Sequence, residues 1–284
     1  MDRIAYVNGD FVPLSEARIS PLDRGFLFAD GIYEVSAVLD GKLVDNDSHL
    51  ARLKRSVGEI ALDLPVTLEE LVELERELVR RNNLTEGVVY MQVTRGVADR
   101  DFTFPKDAKP TLFMFTQEKN ILGSKAAETG VRVKSVPDLR WARRDIKSVA
   151  LLAQVLAKQA AAEAGCAEAW MIQDGFITEG GSSSAFIITA GDVVVTRPNS
   201  TAVLPGCTRR ALLALAAEGA ITVEERLFTL DEALAAKEAF LASASSFVQP
   251  VVAIDDKPIG DGTPGPLSRR LRELYIAFAR ETAV

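Results

Sequence analysis

The chain has 284 residues, 48% hydrophobic and 26% charged, the balance of a globular protein of about two domains rather than a disordered, collagenous or coiled-coil chain. Acidic residues outnumber basic ones by 40 to 33, which leaves no cationic surplus for nucleic acid, and no apolar run nears the roughly 18 residues of a membrane span. One histidine and two cysteines outside any CxxC pair exclude a His-rich metal centre and a disulfide framework, so no metal site is expected.

The first residues carry an acid and an arginine where a secretory leader needs an apolar core, which predicts a cytoplasmic protein. Asn8-Gly9 between Ala5–Val7 and Phe11-Val12 predicts a hairpin, and Asp40-Gly41 between Tyr33–Leu39 and Lys42–Val44 predicts a second. Leu50, Leu53, Val57 and Ile60 give His49–Ile60 a helical period. Thr67 with Glu70 forms a capping box that opens a helix to about Arg81. Gly87–Thr94 and Thr111–Thr116 are strand-like. Residues 1–118 therefore read as a small α+β domain, an antiparallel sheet with helices on one side.

The polar, aperiodic residues 119–128 read as a linker, and 129–284 as a larger second domain. That domain starts with a strand at Val131–Val136, followed by an Ala-rich helix from about Ser148 to Ala164. Strands are expected at Ala167–Ile172, Ala185–Thr189, Val193–Thr196, Thr222–Arg226, Ala239–Ala242 and Val248–Ile254, and helices near Thr208, Thr229 and Leu267. Many short strands with few helices between them predict a barrel-like sheet flanked by helices, so the fold class is α+β with two domains.

Gly260-Asp-Gly262-Thr-Pro-Gly265 matches a dinucleotide fingerprint, but only 19 residues follow Gly265, too few to complete a βαβ unit. His49, just before a helix, reads as a capping or packing residue. Four segments carry chemistry. Asp145-Ile146-Lys147-Ser148 puts a lysine at the start of an apolar helix, where lost solvation would favour an amine nucleophile; a lysine snorkelling from the helix end fits the same pattern. Thr178-Glu179-Gly180-Gly181-Ser182-Ser183-Ser184 offers a carboxylate for a pyridinium nitrogen, and hydroxyls and turn amides for an oxyanion; a solvated turn is the bland alternative. Leu204-Pro205-Gly206-Cys207-Thr208 is a glycine loop opening a helix, suited to a phosphate. Arg52 shares its helix face with apolar residues, and an inward arginine needs an anion.

Together with Tyr6-Val7-Asn8-Gly9, Asp30-Gly31-Ile32-Tyr33-Glu34-Val35, His49-Leu50-x-Arg52-Leu53 and Gln92-Val93-Thr94-Arg95-Gly96, these segments resemble, over nearly the whole chain, the fold-type IV aminotransferases that use pyridoxal 5'-phosphate. The D-amino-acid transaminase branch is the nearest. The resemblance implies that Lys147 forms the Schiff base and shuttles a proton, and that Glu179 pairs with the pyridine nitrogen. It implies that Arg52, Cys207 and Thr208 bind the phosphate, with Leu204, Ser182, Ser183 and Ser243 also at the cofactor. Tyr33, Arg100, Phe102, Ser183 and Ala244 would meet the substrate, with Arg100 taking its carboxylate. It further implies amino-acid and 2-oxo-acid substrates and a homodimer whose partner subunit lines part of the site.

Three positions depart from that branch. Its Arg-x-His reads Arg100-Asp101-Phe102 here, its Asn after the serine loop is Ser184, and its Ser-Thr pair reads Ser243-Ala244. Branched-chain or (R)-amine transamination and aminodeoxychorismate lyase chemistry stay open on the same scaffold. A non-catalytic small-molecule-binding protein is the alternative from another class.

Overall fold

The computed structural model describes residues 2–284; Met1, the first residue of the expected first domain, lies outside them. The chain divides into two units. The first takes the residues up to Asn120 together with Ile146–Ala150 and Ala279–Val284, and the second takes Ile121–Asp145 and Leu151–Phe278. Ile146–Ala150 and the C-terminal stretch thus leave the second domain, where the sequence places them, for the first. Local periodicity cannot reveal that a segment joins a distant sheet.

The first unit is built on β1 (Ile4–Val7), β2 (Asp10–Pro13), β3 (Gly31–Leu39), β4 (Lys42–Leu43), β5 (Glu86–Thr94) and β6 (Thr111–Glu118). They form one antiparallel sheet in the order β2-β1-β6-β5-β3-β4. Both expected hairpins are present. Asn8-Gly9 (φ 50° and 113°) and Asp40-Gly41 (φ 52° and 76°) adopt the positive φ values that these residue types tolerate. Helices α1 (Arg24–Phe28), α2 (Asn46–Glu59) and α3 (Leu68–Arg81) accompany the sheet. The capping box is made: Thr67 N–H donates to Glu70 at 2.7 Å, and Glu70 N–H donates to Thr67 Oγ1 at 3.2 Å. Leu50, Leu53 and Val57 of α2 and Leu71 and Leu78 of α3 pack with Val89, Met91, Val93 and Met114 in one apolar core.

The second unit holds α4 (Lys125–Thr129), β7 (Val131–Pro137), α5 (Leu152–Glu163), β8 (Glu168–Gln173), β9 (Phe176–Gly180), β10 (Ser184–Ile188) and β11 (Val194–Thr196). After these come α6 (Cys207–Glu218), β12 (Val223–Glu225), α7 (Leu230–Leu234), β13 (Glu238–Ser243), β14 (Phe247–Ile254), β15 (Lys257–Pro258) and α8 (Pro266–Thr282), whose residues from Ala279 onward count with the first unit. Its strands run in the order β12-β11-β10-β13-β14-β7-β8-β9, with β15 on β14, and β7 is parallel to both β14 and β8. The sheet curls so that β9 returns beside β10, where Gly180 N–H donates to Ser183 O at 2.7 Å. That curl is the barrel-like sheet expected.

Three local expectations are corrected. The supposed linker contains α4, and α5 starts at Leu152 rather than near Ser148. Glu179 lies on a strand, β9, which Asp174-Gly175 (φ 53° and 83°) joins to β8 through the same turn chemistry as the first two hairpins. The glycine fingerprint at 260–265 is a loop before α8. The anion at that helix start is internal, because Glu238 accepts the N–H groups of Leu267 (3.0 Å) and Ser268 (2.8 Å).

Gly96, two residues past β5, has φ +87°, and a Cβ there would run into the Lys109 carbonyl. Gly96→Ala is therefore expected to lower unfolding stability by about 2 kcal/mol, measured by urea denaturation. An unchanged midpoint would show that the backbone relaxes without strain.

Candidate active site

Lys147 is placed by strand pairing. Ile146–Ala150 runs beside the start of β3: Tyr33 N–H donates to Lys147 O at 3.0 Å, Val149 N–H donates to Gly31 O at 3.1 Å, and Ile32 and Ser148 form a bridge. Its Nζ stands 4.2 Å from the centroid of the Tyr33 ring, a cation–π contact. Tyr33 in turn stacks on Tyr90 at 5.7 Å, and Tyr90 OH donates to Gln92 Oε1 at 2.7 Å. The expectation of a lysine opening an apolar helix is thus corrected: Lys147 is half-buried on an extended segment, and α5 follows it.

The anion that inward-facing Arg52 requires is Glu34. Arg52 Nε and Nη2 reach its two carboxylate oxygens at 2.8 and 2.7 Å, and His49 Nδ1 lies 2.9 Å from Oε2. Burial raises the Glu34 carboxyl, but Arg52 and His49 outweigh it and hold the group well below the usual range. His49 sits within α2 as a member of this cluster, not ahead of the helix as a cap. Glu75 of α3 is equally buried; Asn46 and His49 oppose the effect only in part, and burial pushes it up to about 7.

Glu179 is buried at the end of β9. Arg140 Nη1 donates to its Oε1 at 2.5 Å, and Leu204 N–H approaches Oε1 at 3.1 Å and Oε2 at 3.3 Å. Arg140 also grips Asp138 with Nε (3.0 Å) and Nη2 (2.7 Å), and Asp138 accepts the Thr178 hydroxyl at 2.7 Å. Burial pushes the Glu179 carboxyl up, and Arg140 is the chief influence against the rise. Leu204, assigned to a cofactor by its motif, here serves Glu179 through its N–H. Arg140, Asp138 and Glu34 escaped the sequence reading. The run Arg140, Arg143, Arg144 just before Lys147 was the available signal for the first of them.

Cys207 and Thr208 are buried in the first turn of α6, whose N-cap Gly206 contributes no side-chain cap, and Thr208 Oγ1 lies 3.4 Å from Tyr275 OH. In the turn after β13, Ser243 Oγ lies 2.8 Å from Ser246 Oγ, with Ala244 between them in sequence. Ser182 and Ser183 occupy the turn from β9 to β10, and both hydroxyls reach Glu168. Arg100 is exposed, its guanidinium 5.4 and 5.6 Å from the ring centroids of Phe28 and Phe102. Phe102 is exposed too, with its carbonyl and that of Asp101 within reach of buried Arg24. In the first unit, then, Lys147 meets Tyr33. In the second, Glu179 meets Leu204.

The sequence pattern of the family described as amino-transferase class IV matches residues 31–254. A curated relative, the D-alanine aminotransferase of Staphylococcus aureus (strain MSSA476), is 41% identical over 285 residues, covering 100% of both chains. Among solved structures, the branched-chain amino acid aminotransferase of Escherichia coli superposes with a TM-score of 0.91 at 23% identity, over 99% of this chain and 96% of that one, a likeness of fold. The T.th. branched-chain amino acid aminotransferase with pyridoxamine 5'-phosphate gives 0.90 at 25% identity, over 99% and 95%.

Glu75 makes stability depend on pH. Its carboxyl ordinarily titrates at 4.5 and in the fold at about 7, so its favourable contribution is complete below pH 4.5 and is lost as pH rises to about 7. Relative to Glu75→Gln, the wild type is expected to lose about 3 kcal/mol of unfolding free energy across that window. Urea titrations of both proteins at several pH values measure it, and a pH-independent difference would contradict the shift.

Proposed function

This chain belongs to the class IV aminotransferase family, and from that premise we propose that it moves the amino group of a D-amino acid such as D-alanine to a 2-oxo acid such as 2-oxoglutarate, with pyridoxal 5'-phosphate as cofactor. The observation that carries the reading is the full-length identity to the D-alanine aminotransferase. The donor set fits the cofactor. An amine stands over the Tyr33 ring, a buried carboxylate is backed by Arg140, and a twelve-residue helix opens at a glycine with a threonine in its first turn.

Bound pyridoxal 5'-phosphate supplies an aldehyde that condenses with amines and a ring that accepts the electrons of a broken Cα–H bond. Lys147 Nζ is the amine that anchors it and the base that takes and returns the α-proton. Glu179 holds a proton at the pyridine nitrogen, and Arg140 favours the carboxylate form needed for that. The amides of Cys207 and Thr208, the Thr208 hydroxyl and the positive end of α6 hold the phosphate, with Arg52 as a further cation oriented by Glu34. Ser182, Ser183 and Ser243 line the cofactor, with Ser182 and Ser183 also close to the substrate, which Tyr33, Ser183 and Ala244 contact. Arg100 takes the α-carboxylate. Phe102 has no hydrogen to donate there, which favours a second reading, a branched-chain or (R)-amine substrate.

We read the protein as a cytoplasmic homodimer. No helix among the described residues is long and apolar enough to cross a membrane. In the first unit Phe26, Val97, Phe102 and Phe104 are exposed apolar side chains, of the kind a second copy would cover. Analytical ultracentrifugation is expected to give twice the 30.8 kDa chain mass; a monomer at micromolar concentration would refute the dimer.

Protein loaded with the cofactor is expected to transaminate D-alanine with 2-oxoglutarate in preference to L-leucine or an (R)-amine, and Lys147→Ala to abolish turnover while the fold survives. Faster use of L-leucine would establish the branched-chain reading. Near wild-type turnover in the lysine variant would remove Lys147 from the mechanism.

A further inference from the structure

Glu168 of β8 is buried, and both of its oxygens are taken. Oε2 accepts the hydroxyls of Ser182 at 3.1 Å and Ser183 at 3.2 Å, while Oε1 pairs with Lys158 Nζ at 3.2 Å and accepts the Ala169 N–H at 2.9 Å. The serine turn lies directly on this pair. A Cβ at Gly181 would stand 3.0 Å from Lys158 Cγ and 3.1 Å from Glu168 Oε1, a tight fit that glycine relieves. Gly181 N–H donates to Ala169 O at 3.1 Å and fixes the approach.

A carboxylate oxygen can only accept a hydrogen bond, and a serine hydroxyl has one proton to give. Both serines therefore spend their proton on Glu168. What their oxygens offer to anything else is lone pairs. A carboxylate or phosphate oxygen gains nothing from such a surface, whereas an N–H group does.

We propose that Glu168 is a positioning residue that sets the hydrogen-bond polarity of the Ser182–Ser183 turn, making it a receptor for the amino group of the substrate and not for its carboxylate. The proposal rests on the aminotransferase reading and on the place given there to the two serines. It reverses the expectation, drawn from the motif, that these hydroxyls bind an oxyanion. The α-carboxylate then needs a donor elsewhere, in keeping with the role given to Arg100.

The test separates the two ends of alanine. Isopropylamine keeps the amine and propionate keeps the carboxylate. Their binding to the cofactor-loaded protein is measured by calorimetry, beside KM and kcat for D-alanine. Glu168→Gln keeps the size of the side chain but can turn an amide NH2 toward the serines, which frees their protons. It is expected to weaken isopropylamine and raise the D-alanine KM roughly fivefold, as loss of one neutral hydrogen bond does, with propionate unchanged or tighter. Ser182→Ala, at an exposed position where folding is not at stake, is expected to weaken the amine alone. Lys158→Gln touches the other oxygen of Glu168 and is expected to leave both probes within about twofold. Equal losses for both probes, undiminished amine binding, or the same pattern from Lys158→Gln would overturn the proposal. The calorimetry stands whether or not turnover is seen, so an enzyme inactive on every amino acid refutes the functional reading separately.

Discussion

Each edge of a β-strand carries a row of N–H and C=O groups that must find partners. β3 meets β5 along one edge, but β4 covers only Val38 and Leu39 on the other, so its first half would lie open without Ile146–Ala150. This pairing holds the Lys147 backbone, and the amine follows it to the Tyr33 ring. Successive strand residues face opposite ways, so Tyr33 turns toward one side of the sheet and Glu34 toward the other, where α2 supplies Arg52 and His49. One short strand thus organises both the amine and the buried cation cluster.

Buried charge is the second organising theme. Glu34 has Arg52, Glu179 has Arg140, Glu168 has Lys158, and Asp30 takes Arg24 (2.8 Å) and Arg95 (2.8 Å). Removing a single partner from such a pair strands a charge in a medium that solvates it poorly, so each cation is constrained by the anion it serves. Glu75 differs because asparagine and histidine, not arginine, are the groups that oppose its burial, and its carboxyl is raised.

Much of the fold was legible because its signals are local. Asn8-Gly9 and Asp40-Gly41 dictate their turns, Thr67 and Glu70 announce α3, and the alternation of β5 marks a half-buried strand. Asp174-Gly175 carried the same message about β9, but the conspicuous acid, glycines and serines that follow read as a turn instead. What stayed hidden was non-local: that 146–150 joins β3, that Glu34 answers Arg52, and that Glu168 answers Ser182 and Ser183. No spacing rule links residues 18 or 15 positions apart across different elements. The candidate site residues were named by motif resemblance, while the partners that surround each of them came only with three-dimensional contacts.

The return of distant segments to the first sheet has a consequence for synthesis. Leu43 in β4 exchanges backbone hydrogen bonds with Val284 at 2.7 and 3.0 Å, just as β3 waits for Ile146–Ala150. When residue 120 leaves the ribosome, a six-stranded sheet can already form, yet two of its edges still lack partners that have not been made. Exposed strand edges recruit other strands, so the nascent chain passes through an interval in which its own continuation competes with neighbouring polypeptides for the same hydrogen bonds. Slow translation of the second unit lengthens that interval, and a fragment cut after Asn120 never leaves it.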